Sequence, residues 1–235
     1  MACGLKLGKG VSKELVKFIT VLEPLTVKGT EENLERRDTF ELAEPSPTGV
    51  AFLPGVKKLI LKLLLEKYPD NLSSIKKQAS TPGRDVFEAY MPTYDAAFKV
   101  AEAWGEGVSG GGVTLNNFRI LVVLLCIHAA MYDAFFLVTD DDTPEATMGV
   151  EEWIKGYKNL AQYGFVGFSD LKDMKGSRAS LGAFFFTELD SSEDKRVEIA
   201  EWFSFIQKKV RILSESRMVT VRTLMLLFSA FLSLS

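Results

Sequence analysis

The sequence predicts an all-α protein built from helix–loop–helix units. Apolar residues recur every three or four positions through most of the 235-residue chain, which is the spacing of one helix face. Few stretches alternate polar and apolar residues as a half-buried strand would. Two segments also match one another when the sequence is shifted by 49 residues. With 47% hydrophobic residues, the chain can build a core for one large domain or two small ones.

Helical spacing locates the elements in order. Residues 11–23 form a short amphipathic pattern, and Pro54 opens a longer helix in which Val56, Leu59 and Ile60 share a face. Between these two helices, residues 24–50 are polar and end in proline and glycine, so we expect a mobile linker there. Further helices are expected over residues 84–104, 114–138, 150–162, 169–175, 180–189 and 200–216.

Charge and cysteine content narrow the kinds of protein to consider. A net charge of −3 and a pI near 5.4 give no electrostatic basis for binding nucleic acid. Two cysteines are too few for a disulfide framework, so we expect a reducing, cytoplasmic location. Cys126 and the single histidine, His128, lie in the apolar helical stretch "LLCIHAAMYD", where we expect buried structural residues.

The internal repeat consists of an apolar helix, a mostly polar stretch of twelve residues, and a second helix that opens with Glu-Trp. Chance explains one matched pair of residues but is a poor explanation for six in the same register. The matched pairs are Phe135 with Phe184, Phe136 with Phe185, Asp141 with Asp190, Glu145 with Asp194, Glu152 with Glu201, and Trp153 with Trp202.

Helix, twelve-residue loop and helix is the layout of an EF-hand, whose loop supplies oxygen ligands at positions 1, 3, 5, 7, 9 and 12. Counting from Asp190 places acidic or hydroxyl side chains at most of these positions, which suits the hard cation Ca²⁺. Val197 falls at position 8, an apolar residue suited to a short β-bridge between paired loops. The expected ligands are Asp190, Ser192, Asp194, the carbonyl of Arg196, Glu198 and Glu201.

Position 6 of this loop departs from the usual pattern. The sharp turn there normally takes glycine because φ is positive, but this chain has Lys195. A side chain in the left-handed region costs roughly 1–2 kcal/mol, and the ammonium group adds positive charge beside the ion. We therefore expect a site of weak or moderate affinity.

The earlier loop, residues 141–152, is expected to be the weaker site. Met148 takes the apolar position 8, Ala146 replaces the glycine of position 6, and Pro144 stiffens the turn. Only three carboxylates occupy ligand positions. The expected ligands are Asp141, Thr143, Glu145, Thr147 and Glu152.

A third, degenerate copy is predicted upstream, at residues 106–117. Gly111 falls at position 6, Val113 at position 8, and Phe118 takes the place of the tryptophan, but almost no carboxylates remain. No convincing fourth loop is found, although "STPGRDVFEAYM" lies where one is expected. We therefore predict a calmodulin-like array with a degenerate N-terminal pair. The expected divisions are residues 1–50, 51–125, 126–212 and an apolar tail at 213–235.

Three segments carry a family resemblance: "FRILVVLLCIHAAMYDAFFLV", the acidic loop with Glu-Trp after it, and "FFFTELDSSEDKRVEIAEWFSFIQKKV". Over about residues 95–210 the chain resembles the calflagins, flagellar calcium-binding proteins of kinetoplastids. The resemblance implies a calcium sensor, ligands at the Asp190–Glu201 positions, and a flagellar location. Calflagins attach to the membrane through N-terminal myristate and palmitate, but Ala2 stands where myristoylation needs glycine.

Two functions are compatible with these patterns. The first is a Ca²⁺ sensor or buffer that exposes an apolar groove to a protein partner. The alternative is a structural interaction module whose loops no longer bind metal. We do not expect an enzyme, because "GEGVSGGG" lacks the Gly-Lys-Ser/Thr ending of a phosphate loop and no acid–base pair stands out.

The apolar residues 224–234 are too few to span a bilayer but compatible with peripheral membrane association.

Overall fold

The computed structural model describes residues 11–69, 82–103, 111–139, 146–157, 160, 163 and 186–205, and these are mostly helical, as predicted. The chain divides into two compact units, Ser12–Ala129 and the residues from Ala130 onward. The first unit contains α1 (Lys13–Leu22), a 3-10 helix (Glu23–Thr26), α2 (Thr30–Glu41), β1 (Val50–Ala51), α3 (Leu53–Lys67), α4 (Pro82–Ala89), α5 (Met91–Ala103), β2 (Val113–Thr114) and most of α6 (Leu115–Val138).

The second unit contains the end of α6, β3 (Met148–Gly149), α7 (Val150–Gly156) and β4 (Arg196–Val197). Residues 186–189 and 199–205, on either side of the loop that starts at Asp190, are also helical. The helix expected at 169–175, the N-terminal decapeptide and the tail at 213–235 lie outside the described residues.

Helix α1 confirms the amphipathic pattern read from residues 11–23. The hydroxyl of its N-cap, Ser12, accepts a hydrogen bond from the backbone N–H of Leu15 at 3.1 Å, which satisfies one of the free donors of the first turn. Its buried apolar side chains lie four positions or fewer apart on one face, and each is at most 1% exposed. They are Leu15, Phe18, Ile19 and Leu22.

Helix α2 corrects the expectation of a mobile linker over residues 24–50. It was missed because its sequence, "TEENLERRDTFE", shows no continuous apolar face. Its burial is confined to the second half of the helix, where Arg36, Thr39 and Phe40 face the core. The Phe40 ring meets the ring of Phe118 on α6 edge to face, with centroids 5.2 Å apart. A short apolar anchor thus holds an otherwise polar helix.

Strands β1 and β2 pair antiparallel, with Val50 opposite Thr114 and Ala51 opposite Val113. A glycine lies two residues before Ala51, and another lies two residues before Val113. Gly49 has φ of +75° and Gly111 has φ of +72°, a conformation that glycine adopts without strain. The first unit therefore contains two similar turns, each followed by a two-residue strand and a helix.

Helix α6 is the long apolar helix expected from residues 114–138. Its length and apolar composition make it, among the described residues, the one helix able to cross a membrane by those criteria alone. However, 61% of that apolar window is buried inside the protein, as in a core helix. Cys126 and His128 are 0% and 1% exposed, which confirms the prediction that they are buried.

The burial of His128 predicts a loss of stability in mild acid. Burial lowers its pKa, and the Leu124 carbonyl, 2.8 Å from Nδ1, raises it only in part. The unfolded state therefore binds a proton at pH values where the folded state does not. We expect the free energy of unfolding to fall below about pH 6.5, by up to about 1.4 kcal/mol per pH unit.

Urea unfolding between about pH 5 and 7.5 measures this dependence. His128→Leu is the matched control, since the chain has no other histidine. The variant should lose the slope between about pH 6.5 and 5, above the range in which ordinary carboxylates titrate. Equal slopes in the parent and the variant would show that another group is responsible.

The core of the second unit is built around two tryptophans. Trp153 and Trp202 are each 0% exposed, and their rings meet edge to face with centroids 6.3 Å apart. The Trp202 indole Nε1–H donates a hydrogen bond to the Met131 carbonyl of α6 at 2.7 Å. These contacts fix the start of the helical segment at 199–205 against α6.

Candidate metal centre

The carboxylate of Asp190 organises the first half of the loop at 190–201. Its Oδ1 accepts from the backbone N–H of Asp194 at 3.2 Å and from the Ser192 hydroxyl at 3.3 Å. Its Oδ2 accepts from the N–H of Lys195 at 2.8 Å. Asp190 is only 8% exposed, so these bonds offset the cost of taking its charge out of water. The chain is thereby bent around its first predicted ligand.

Glu201, the last predicted ligand, reaches back over the loop. Its Oε1 accepts from the Ser192 N–H and the Ser191 hydroxyl, each at 2.9 Å, and its Oε2 accepts from the Glu198 N–H at 3.0 Å. Partial burial raises the pKa of Glu201, but the hydrogen bonds from Glu198, Ser191 and Ser192 outweigh it and leave the pKa below its usual value. The folded loop therefore favours the ionised carboxylate.

The backbone at position 6 has the conformation that the loop pattern requires. Lys195 has φ of +69°, and Glu193, two residues earlier, has φ of +62°. A side chain in the left-handed region is strained, because its Cβ crowds the following carbonyl oxygen. The loop thus carries strain at the residue where the usual pattern has glycine.

Replacing Lys195 by glycine should stabilise the metal-free protein. Relief of roughly 1–2 kcal/mol of strain exceeds the chain entropy that glycine loses on folding, so we expect a gain of up to about 1 kcal/mol. Urea unfolding in the presence of chelator measures it. Lys195→Ala is the control, because it removes the charge but keeps the Cβ, and it should give no comparable gain. A less stable Lys195→Gly protein would contradict the prediction.

The described part of the earlier loop repeats this geometry. The Glu152 carboxylate accepts from the Gly149 N–H at 2.6 Å, as the Glu201 carboxylate does from the Glu198 N–H. Each glutamate is the third residue of its helix and thereby caps the start of that helix. Met148 pairs with Val197 across the β3–β4 bridge, so the two residues at position 8 face one another as expected. Three predicted ligands, Asp141, Thr143 and Glu145, lie outside the described residues.

A side-chain bond between the two loops was not predicted. The Arg196 guanidinium donates from Nη1 to the Thr147 hydroxyl at 3.0 Å. Both residues were expected at position 7, and Arg196 was considered only for its carbonyl. The β-bridge brings them together, because Arg196 pairs with Gly149 in the same strands. Nothing in the sequence near either residue signals this contact.

The segment "STPGRDVFEAYM", where a fourth loop was expected, contributes helix α4 instead. The strand that pairs with β2 is β1, directly after residues 44–49. Counting from Glu44 places Gly49 at position 6 and Ala51 at position 8, opposite Val113 of the next loop. Position 12 is Gly55, where an added Cβ would lie 2.2 Å from the Ala43 carbonyl oxygen. This backbone contact excludes a glutamate ligand at Gly55.

The predicted ligands of the last loop match a hard cation in kind, because their donor atoms are oxygens. In the structure, three of the carboxylates among these ligands are hydrogen-bonded to other residues of the same loop. Asp190, Asp194 and Glu201 each accept hydrogen bonds from neighbouring residues of the loop. Within the residues that the structure describes, no three His, Cys, Asp or Glu side chains form a group able to hold a metal ion. An ionised carboxylate has about four lone-pair sites, so an ion bound here would share these oxygens with their present donors or replace some of them.

Comparison with models of protein families, with curated proteins and with solved structures gave no match.

Proposed function

We propose that the chain is a calcium-binding protein of the EF-hand type, with its principal site in the loop at 190–201. The observation that carries the proposal is the equivalence of two loops about the Met148–Val197 pair. In both loops the glutamate at position 12 accepts from the N–H at position 9, and a buried tryptophan follows. A twelve-residue loop between two helices, with glutamate at position 12, is typical of EF-hands.

The first unit supports the same architecture without the metal. The Ala51–Val113 pair corresponds to the Met148–Val197 pair. In the first pair, a glycine with positive φ lies two residues before each member: Gly49 before Ala51 and Gly111 before Val113. Loop 44–55 has Glu44 at position 1 but Gly55 at position 12, and the next loop has Asn117 at position 12. We therefore assign four loops in two pairs, with metal binding confined to the second pair.

Calcium in the last loop would be held by carboxylate, hydroxyl and carbonyl oxygens. Its chemistry would be structural: it would neutralise a group of carboxylates that otherwise repel one another. The residues assigned to it are Asp190, Ser192, Asp194, Arg196, Glu198 and Glu201. Asp141, Thr143, Glu145, Thr147 and Glu152 form the second, weaker site. As a sensor, the protein would expose an apolar surface to a protein partner in the cytoplasm, and the calflagin resemblance points to the flagellum.

Thermal unfolding in calcium and in chelator tests the proposal. A ligand that binds only the folded state stabilises it, by about 2.7 kcal/mol when its concentration is a hundred times Kd. We expect a higher Tm in millimolar Ca²⁺ than in chelator. Mg²⁺ at the same concentration is the control for general ionic effects and should raise Tm less, since it demands a smaller octahedral shell. An identical Tm in all three solutions would refute calcium binding.

The second candidate is an interaction module that keeps the fold without the metal. The observation that favours it is that the loop carboxylates already have partners, with Asp190 bonded to two backbone N–H groups and Glu201 to two others. Such a loop is ordered by its own hydrogen bonds. An unchanged Tm together with a stable, cooperatively folded chain in chelator would support this function.

A further inference from the structure

We infer that Ser191 lowers the calcium affinity of the loop at 190–201 by holding the Glu201 carboxylate in its metal-free arrangement. Ser191 takes position 2 of the loop, which supplies no ligand in the EF-hand pattern. Because it acts through Glu201, it is a positioning residue. The inference rests on the proposed function, since it concerns the strength of binding at the same site.

The Glu201 oxygen Oε1 already has two hydrogen-bond donors. It accepts from the Ser191 hydroxyl and from the Ser192 backbone N–H, each at 2.9 Å. The other oxygen, Oε2, accepts from the Glu198 N–H at 3.0 Å. An ionised carboxylate oxygen has about two lone-pair sites, so the two donors occupy both sites of Oε1.

Calcium competes with these donors for Oε1. The glutamate at position 12 normally holds the ion through both of its oxygens. An ion that takes one lone-pair site of Oε1 leaves room for only one of the two present donors.

The Ser191 hydroxyl is the donor that yields at the lower cost. Ser191 is exposed, and its hydroxyl reaches water by rotation about a side-chain bond. The Ser192 N–H belongs to the backbone, and its hydroxyl donates to Asp190, the first expected ligand, at 3.3 Å. Moving Ser192 would therefore disturb the part of the loop that has to receive the ion.

The Ser191 bond consequently stabilises the metal-free loop and not the calcium-bound loop. The net contribution of one hydrogen bond corresponds to roughly a three- to tenfold change in an equilibrium constant. Calcium binding is weakened by that factor, because the bond has to be broken before Glu201 can hold the ion through both oxygens.

Isothermal titration of the full-length chain with Ca²⁺ tests the inference. Ser191→Ala removes the donor and should bind Ca²⁺ about three- to tenfold tighter than the parent. Ser191→Thr keeps a hydroxyl at the same position and should bind within about twofold of the parent. Ser192→Ala is the contrasting variant, because it removes an expected ligand oxygen and should bind Ca²⁺ more weakly than the parent.

Thermal unfolding gives a second readout, which a serine with a purely structural role would not produce. In chelator, Ser191→Ala should unfold roughly 1–5 °C below the parent, because it lacks the bond. In saturating Ca²⁺ the difference should disappear, because calcium has displaced the bond in the parent as well. Ser204→Ala, the same substitution at an exposed position outside the loop, should match the parent in both solutions.

The outcomes separate this inference from the proposed function. Equal dissociation constants for the parent and Ser191→Ala would overturn the inference and leave calcium binding in place. An equal loss of Tm in chelator and in saturating Ca²⁺ would also overturn it, since the bond would then persist in the calcium-bound loop. No binding heat from either protein would refute the proposed function and this inference together.

Discussion

Replacing Trp202 by alanine should destabilise the second unit by about 3–5 kcal/mol, the usual cost of truncating a fully buried aromatic residue. The indole is 0% exposed and lies against the rings of Trp153 and Phe135, with centroids 6.3 Å away in each case. Its N–H also donates to the Met131 carbonyl. Urea unfolding monitored by far-UV circular dichroism measures the loss. Such a change is a large part of the stability of an ordinary domain.

Two further variants separate packing from hydrogen bonding. Trp202→Phe keeps an aromatic ring but removes the indole N–H, and we expect it to cost about 1–3 kcal/mol through the lost bond and the reduced volume. Ser204→Ala, an exposed position on the same helical segment, should lie within about 0.5 kcal/mol of the parent. A Trp202→Ala protein as stable as Ser204→Ala would show that the described core is wrong.

The helices with a continuous apolar face were predictable from the sequence. Helix α1 and helix α3 present apolar residues at helical spacing, and burial of those faces is what holds them. Helix α2 lacked that signal, because its buried side chains are confined to residues 36–40. Its helical state depends on tertiary contacts such as the Phe40–Phe118 pair, which no local pattern shows.

The turn at 44–55, which we propose as the fourth loop, was missed for a different reason. It has no glutamate at position 12, where the Ala43 backbone occupies the space that a side chain at Gly55 would need. The remaining signal was Gly49 at position 6 and Ala51 at position 8, directly before a helix. This segment thus has the turn of the proposed loop without a glutamate ligand at its last position.

Within the candidate site, backbone features were more predictable than side-chain partners. The positive φ of Lys195 and the pairing of Met148 with Val197 follow from loop positions alone. The Arg196–Thr147 and Trp202–Met131 bonds join residues 49 and 71 positions apart, so they depend on how the elements pack. Composition also could not show that the carboxylates of Asp190 and Glu201 are engaged by the loop itself.

Replacing Glu201 by glutamine should weaken calcium binding on the order of a hundredfold, or about 2.7 kcal/mol, if the proposed site is correct. Glutamine removes one negative charge and the symmetrical carboxylate that can hold Ca²⁺ through both oxygens. It keeps an oxygen able to accept the Glu198 N–H bond, and glutamine serves as well as glutamate in a capping box. The substitution therefore removes the ligand while preserving the start of the helix. Isothermal titration with Ca²⁺ measures the change.

Glu152→Gln, at the same position of the weaker loop, is the matched control. It also keeps its helix-capping bond, to the Gly149 N–H, so any shared structural effect of the substitution will appear in both variants. If the last loop is the principal site, Glu152→Gln should leave the tighter binding event nearly unchanged, while Glu201→Gln should weaken it on the order of a hundredfold. Equal heats from the parent and Glu201→Gln would place calcium elsewhere. If neither the parent nor either variant gives binding heat with Ca²⁺, and all three unfold at the same Tm in chelator, the two glutamates act only as helix caps, and the metal-free module becomes the better description.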